Sequence, residues 1–169
     1  MTTSVLSDAF EAWAGRAGYA VTREDDATTV ATEPGGEIRY TVRRFDDEFH
    51  LSRAERAEPP QPEMVSTQPA DIERYLTVQL GIDLRAEADL PRLRLPFAID
   101  RCAPGFVFAA LDGGWATLLC EDRGPIAARF RDWSMHPAVR FSYYAEAELE
   151  DLRSSLVAES GAPVFAGMT

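Results

Sequence analysis

Short runs of alternating apolar and polar residues constrain the fold of this chain more than any other feature. In the run 37–44, Ile38, Tyr40 and Val42 fall at every second position, and a β-strand places such residues on one face. Turn-forming residues separate the runs. The runs in this part of the chain cover 19–23, 27–32 and 37–44, continue into Phe49 and Leu51, and are separated by Glu24-Asp25-Asp26, Pro34-Gly35-Gly36 and Asp46-Asp47. They predict an antiparallel β-meander with one buried and one wet face.

Three stretches repeat their apolar residues at helical spacing instead. These stripes are Leu6-Phe10-Trp13-Ala17, Ile72-Tyr75-Leu76-Leu80 and Ala145-Leu149-Leu152-Leu156. Glycine favours helix C-termini, so Gly18 and Gly81 are expected to end the first two helices, and Gly161 and Pro163 to stop the third. The segment 57–68 is rich in proline and glutamate and is predicted to be a loop.

A second set of strand-like runs follows the second helix. The runs 106–111 and 115–121 are joined by Asp112-Gly113-Gly114, a strong hairpin signal, and Gly124-Pro125 turns the chain into 126–131. The order is therefore helix, meander, helix, meander, helix. We predict an antiparallel α+β fold in a single domain spanning residues 1–169.

Composition excludes several classes of function. The 169 residues include 28 acids and 17 arginines but no lysine, for a net charge of −11. A negative surface repels nucleic acid and anionic membranes and attracts basic partners, although it also simply favours solubility. Residues 1–10 lack a signal-peptide pattern and no apolar run is long enough to span a bilayer, so we expect a cytoplasmic protein. Cys102 and Cys120 are expected to be buried free thiols.

Residues capable of catalysis are few and poorly placed. His50 lies in a predicted strand and His136 in a predicted loop, and nothing in their spacing brings them together, so both are expected to be structural or surface residues. The acid clusters Asp25-Asp26 and Asp46-Asp47-Glu48 fall at hairpin tips, where aspartate is favoured for turn geometry alone. We therefore predict no catalytic residue, metal site or cofactor. Arg39, Arg43 and Arg44 lie among acids on the wet face and are expected to be neutralised there, with the binding of an anion as the less favoured alternative.

Three stretches together resemble a known family. They are Gly36-Glu37-Ile38-Arg39-Tyr40 with Leu51-Ser52-Arg53-Ala54-Glu55-Arg56, then Ile72-Glu73-Arg74-Tyr75-Leu76 with Leu90-Pro91-Arg92-Leu93, and Ser154-Ser155-Leu156 with Gly161-Ala162-Pro163-Val164-Phe165. This pattern resembles the actinobacterial immunity proteins typified by the antitoxin of tuberculosis necrotizing toxin. The resemblance implies a cytoplasmic, non-enzymatic inhibitor that binds a secreted NAD-glycohydrolase toxin and covers its nucleotide cleft.

Two hairpin tips are the candidate toxin-binding elements under this interpretation, because both are exposed, acidic and carried by strands. Their residues are Glu33, Pro34, Gly35 and Gly36 in one, and Phe45, Asp46, Asp47 and Glu48 in the other. Phe45 supplies the apolar anchor that binding hot spots usually contain. The partner is then a cognate toxin domain, and the free chain is expected to be a monomer.

Two other interpretations stay open. A secretion chaperone or adaptor is also commonly a small acidic α+β protein, and it would hold a partner segment without inhibiting catalysis. A small enzyme would require His50 or His136 to meet an acid in space.

Overall fold

Eight strands form one antiparallel sheet in the computed structural model, which describes residues 5–169. The strands are β1 (Tyr19–Arg23), β2 (Ala27–Thr32), β3 (Ile38–Phe45), β4 (Glu48–Glu55), β5 (Gln61–Ser66), β6 (Phe106–Leu111), β7 (Trp115–Cys120) and β8 (Gly124–Arg131). Their order across the sheet is β1-β2-β3-β4-β5-β8-β7-β6. Each half of the sheet is a meander, and β5 joins the halves by pairing with β8. The predicted antiparallel α+β class is confirmed.

Four helices cover one face of this sheet. They are α1 (Asp8–Arg16), α2 (Pro69–Glu87), α3 (Pro137–Ser142) and α4 (Leu149–Val157). Phe10 and Trp13 of α1, Leu76 of α2 and Phe141 of α3 share a buried core with alternate strand residues. Those strand residues include Val30, Tyr40, Val42, Leu51, Met64, Leu118 and Phe130. The alternation predicted for the first meander is therefore confirmed, and the intervening strand residues point away from the helices.

The prediction of a loop over 57–68 is wrong, because this segment contains the central strand β5. Pro62 suggested a loop, since proline cannot donate a ladder hydrogen bond. In the sheet, however, β8 pairs only with Met64, Val65 and Ser66, so Pro62 lies beyond the part of β5 that has neighbours on both sides. The buried Met64 and Val65 supply the apolar content that a central strand needs.

A bulge in β5 turns one acid towards the helices. Leu51 pairs with Met64 while its neighbour Ser52 pairs with Pro62, so Glu63 is an extra residue in β5. The Tyr75 hydroxyl of α2 donates a hydrogen bond of 2.7 Å to Oε2 of Glu63. The bulge thus places a carboxylate on the helix-covered face and leaves Pro62 on the opposite face with Ser52.

The sequence predicted that Gly81 ends the second helix, and this prediction is wrong. Helix α2 continues to Glu87, and Gly81 lies where α4 crosses it. A Cβ atom at Gly81 would lie 2.6 Å from Cδ1 and 2.9 Å from Cγ of Leu156. The glycine therefore permits close approach of two helices.

Two further details differ from the predictions in the last third of the chain. The short helix α3 was not predicted, although Pro137 occupies the helix start where proline is favoured. The third stripe begins one turn later than predicted, because Ala145 precedes the helix that starts at Leu149. The helix α3 was missed because its six residues are too few to show a helical period in the sequence.

Arg85 locks the helices together from inside. Its side chain is only 2% exposed, and its guanidinium donates to backbone carbonyls that follow α2 and that end α4. The acceptors are the carbonyl oxygens of Pro91, Ser155, Leu156, Ala158 and Glu159, at 2.7–3.3 Å. A guanidinium is suited to this position because it carries five donors in a fixed plane.

The outer edge of β6 is partly occupied by the preceding loop. The backbone N–H of Phe106 donates to the carbonyl of Ala103, and the Cys102 thiol lies close to the backbone of Phe108. Burial raises the pKa of the Cys102 thiol. Cys102 and Cys120 are both free, as predicted, but they are half-buried and not buried as the sequence had suggested.

We expect Gly81→Ala to lower the free energy of unfolding by about 1–2 kcal/mol, since overpacking against Leu156 outweighs the gain in helix propensity. Gly15→Ala is the matched control, because it adds the same methyl group inside a helix where no atom lies within 4 Å. That variant should gain about 0.5–1 kcal/mol. Urea denaturation followed by circular dichroism measures both, and effects of the same sign would contradict the packing role.

Candidate partner-binding face

The sheet face opposite the helices carries a groove that crosses both meanders. It has a volume of about 550 Å³. Its lining comes from β3, β4, β5, β6, β7 and β8, together with the loops that follow β4 and β6. The lining includes Arg43, Phe45, His50, Pro62, Trp115 and Arg129. Since Arg43 and Arg129 lie 86 positions apart in the sequence, only the pairing of β5 with β8 brings them to one site.

The tip between β3 and β4 forms one end of this groove. Phe45 is 56% exposed and its ring meets the His50 ring edge-on, with centroids 5.0 Å apart. Asp46 and Asp47 form a two-residue loop between the paired residues Phe45 and Glu48. Asp46 has a φ of 53°, a left-handed conformation that aspartate tolerates better than most residues. The tip is therefore exposed, as predicted.

Glu48 ties the tip to the second meander. Both of its carboxylate oxygens accept from one nitrogen of Arg129 at 3.0 Å, and His50 Nε2 lies 3.5 Å from Oε2. Because Glu48 is next to the two-residue loop, these contacts hold the loop in register with β8. The tip is therefore braced from two strands.

The other candidate tip, residues 33–36, lies at the opposite end of the sheet. Successive hairpins of a meander alternate between the two ends, and β3 separates this turn from the tip at Phe45–Glu48. The turn is also well held: the N–H of Glu33 donates to Gly18 and that of Gly36 to Thr32, both at 2.8 Å. The structure therefore does not bring the two predicted tips together, and a single partner cleft of ordinary size would receive only one of them.

The three arginines of β3 find different partners. Arg43 pairs with Asp26 at 3.0 Å and Arg44 lies 3.7 Å from Asp47, as expected from their acidic surroundings. Arg39 instead donates to the backbone carbonyls of Gly36 and Arg56.

The two histidines lie in different environments. His50 lines the groove with Phe45 and contacts Glu48. His136 lies at the start of α3, with Nδ1 3.0 Å from Asp132 and its ring 5.5 Å from that of Phe108. Each histidine meets an acid, Glu48 for His50 and Asp132 for His136, so the contact that the small-enzyme interpretation requires is present at each. Over residues 5–169, no cluster of three or more histidine, cysteine or acidic side chains is placed to hold a metal ion.

A second cleft, of about 320 Å³, lies between the sheet and α2. Both acids in its lining accept a hydrogen bond from a tyrosine: Glu63 from Tyr75 at 2.7 Å and Asp83 from Tyr19 at 2.6 Å. Burial raises the pKa of Glu63, while the Tyr75 hydrogen bond and Arg53 act in the opposite direction. Burial likewise raises the pKa of Tyr75 well above its ordinary value. This arrangement is typical of a structural polar network.

Sequence reasoning missed Leu111, Trp115, Arg129 and Arg131 as members of the open face. The strand 126–131 was predicted, and in it Arg129 and Arg131 alternate with the buried Phe130. That alternation was a signal that both arginines share the face opposite the core.

Comparison with known proteins identifies the family to which this chain belongs. The chain is a member of an immunity-protein family. The matching family model is that of Immunity protein 61 (Imm61), which covers residues 13–164. The resemblance drawn from the sequence is thereby confirmed.

Known relatives agree with this assignment. The immunity factor for TNT of Mycobacterium tuberculosis (strain ATCC 25618 / H37Rv) is 24% identical over 143 residues, which are 83% of this chain and 80% of that protein. The immunity factor for TNT homolog of Mycobacterium bovis (strain BCG / Pasteur 1173P2) matches to the same extent. The solved structure of Rv3902c from M. tuberculosis has the same fold, with a TM-score of 0.83, 22% identity, and coverage of 98% of this chain and 97% of that chain.

Among the described residues, no helix combines the length and apolarity needed to cross a bilayer.

Glu63→Gln should make stability less dependent on pH. The pKa of Glu63 is higher in the fold than in the unfolded chain, so its contribution is greatest when protonated and is lost as pH rises through the folded pKa. Glutamine keeps an acceptor for Tyr75 without the buried charge. We expect its melting temperature, relative to the parent chain, to be higher at about pH 7.5 than at about pH 4. The exposed Glu58→Gln is the control, and identical behaviour of the two variants would contradict this role.

Proposed function

We propose that this chain binds a cognate toxin domain and blocks that toxin's working cleft. The observation that carries the proposal is the match of the immunity-protein family model to residues 13–164. The relatives named as immunity factors for TNT support a toxin of that kind. We further propose that the toxin is an NAD glycohydrolase, as the family resemblance implies. The chain would act in the cytoplasm, without cofactor and without chemistry of its own.

The inhibition we propose is steric and uses the tip at Phe45–Glu48. A blocking element must be rigid before it binds, since ordering a mobile loop costs affinity. The contacts of Glu48 with Arg129 support that requirement. The exposed Phe45 would serve as the apolar anchor, and Asp46 and Asp47 would face the cationic groups that a cleft for NAD phosphates contains.

The turn of residues 33–36 is the alternative inserting element. It is acidic and exposed at Glu33, but it lacks an exposed aromatic residue. The groove on the open face adjoins the tip at Phe45–Glu48 and offers a second surface next to it. We therefore favour that tip.

A chaperone or adaptor remains the alternative function. The open face exposes Val107, Leu111 and Leu119, and an exposed apolar patch is a feature such a protein would use to hold an unfolded segment. A chaperone would bind its partner without changing the partner's activity, which separates the two functions experimentally.

The direct test is loss of NAD in the presence of the toxin encoded beside this chain. Purified toxin should consume NAD, and adding the chain should stop consumption at one equivalent, because a steric blocker of one cleft acts stoichiometrically. The pair should also co-purify as a folded complex. Binding without any reduction in NAD loss would support the chaperone instead, and turnover of NAD by the chain alone would overturn the non-enzymatic proposal.

The tip can be tested by neutralising its charges. Asp46→Asn with Asp47→Asn keeps a residue type that accepts the left-handed conformation while removing two charges. We expect the association rate with toxin to fall about tenfold at low salt and the difference to fade at high salt. Stopped-flow fluorescence measures both conditions.

Glu33→Gln with Glu37→Gln provides the comparison, because it removes the same charge at the other end of the sheet. This variant should retain nearly the parent rate. If it slows association while the tip variant does not, the inserting element is the turn at residues 33–36.

A further inference from the structure

The open face of the sheet carries mainly positive side chains, whereas the molecule as a whole is negatively charged. Alternation along the strands places arginines on this face from β3 and β8, against the single strand acid Glu48. These arginines are Arg39, Arg43, Arg129 and Arg131. The chain as a whole carries a net charge of −11. Such a local reversal marks this face as suited to a partner of different charge from the one that the rest of the surface attracts.

Three of these arginines retain capacity for a partner's carboxylates, whereas Arg129 is engaged by both carboxylate oxygens of Glu48. Arg39 and Arg131 donate to backbone carbonyls, of Gly36 and Arg56 in one case and of Gly113 in the other. Within residues 5–169, neither forms an ion pair with an acid. Arg43 pairs with Asp26, but both side chains are exposed, and exposed pairs contribute about 0–1 kcal/mol. An incoming carboxylate can therefore compete for these guanidinium groups.

Apolar side chains line the groove. They include Val65, Pro62, Trp115, Leu111 and Phe45. Arg43 and Arg129 stand beside this apolar surface. A segment that fits it would carry at least one apolar side chain flanked by aspartate or glutamate.

The acidic rim narrows the class of partner. Asp26, Asp46, Asp47 and Asp112 surround the face at its hairpin tips. A long polyphosphate chain would pass these acids on entering and leaving, and the total charge of the molecule would repel it. A short acidic protein segment fits between them.

We infer that the groove on the open face receives an acidic segment of the toxin, next to the cleft that the Phe45–Glu48 tip enters. This inference rests on the proposed function and adds a second contact of opposite charge. The chain then presents acids at the tip and guanidinium groups behind it. A toxin with a basic cleft and acidic residues on the lip of that cleft would match both the acidic tip and the arginines behind it. These two contacts of opposite charge would align the two proteins and favour this complex over others.

Charge reversal on the open face is the test. Arg43→Glu with Arg131→Glu leaves Glu48, Arg129 and Phe45 in place, so the tip itself is unchanged. We expect the dissociation constant for the purified toxin to rise about 100-fold, because like charges would then face each other across the interface. Arg92→Glu with Arg94→Glu, two exposed positions in the segment after α2, makes the same charge change elsewhere. It should alter the constant less than about threefold.

A charge swap separates a lost contact from a damaged fold. Lysine in place of the acids on the toxin's lip should restore binding to the Arg43→Glu, Arg131→Glu variant, whose melting temperature should equal that of the parent. Equal effects of the two arginine pairs, or none from either, would overturn the inference while leaving inhibition by the parent chain intact. Failure of the parent chain to bind toxin at all would overturn the proposed function itself. Arginine-dependent binding of a thymidine oligonucleotide, equal in strength to toxin binding, would also overturn the assignment to a protein segment.

Discussion

Three residue pairs between β5 and β8 join the two halves of the sheet, and the core and the groove both depend on them. Met64 with Phe130 and Ser66 with Ala128 belong to the side covered by helices, while Val65 with Arg129 belongs to the open face. The Ser66 hydroxyl also donates to Asp71 in the first turn of α2, at 2.9 Å. The same short seam therefore sets where the second meander lies, where α2 begins and how far Arg43 stands from Trp115.

The helix layer is held by contacts of a different kind. Arg85 gathers the carbonyls at the end of α4 and the start of the segment after α2, and Gly81 lets Leu156 pack directly on the α2 backbone. A buried guanidinium that satisfies several carbonyls leaves few polar groups unpaired in the interior. The sheet thus rests on helices that are fixed to one another, so a partner would meet a preformed open face.

Most of the fold follows from local patterns, and the exceptions have physical causes. Alternating or apolar runs located β1, β2 and β6 to the residue, because turn residues stand at their ends. β5 was missed because Pro62 and its acidic neighbours resemble a loop unless the pairing with β8 is known. Gly81 was taken for a helix end because glycine serves both as a terminator and as a site of close packing.

The candidate site was predictable only where it is local. The exposed, acidic character of Phe45–Glu48 follows from its position between two strands. The proximity of this tip to Arg129 and Trp115 does not follow from the sequence, because it depends on which strand of the second meander pairs with β5. The sequence also does not show that the turn at residues 33–36 lies at the other end of the sheet, because this follows only from the assembled meander.

The loop before β6 has a consequence for how the chain behaves when it is abundant. Open strand edges act as templates on which further strands add, and this leads to aggregation. The carbonyl of Ala103 already accepts a hydrogen bond from the backbone N–H of Phe106, which removes one of the donors that a growing strand stack would use. The β6 edge is therefore a poorer template for edge-to-edge polymerisation, which favours contact through the face of the sheet.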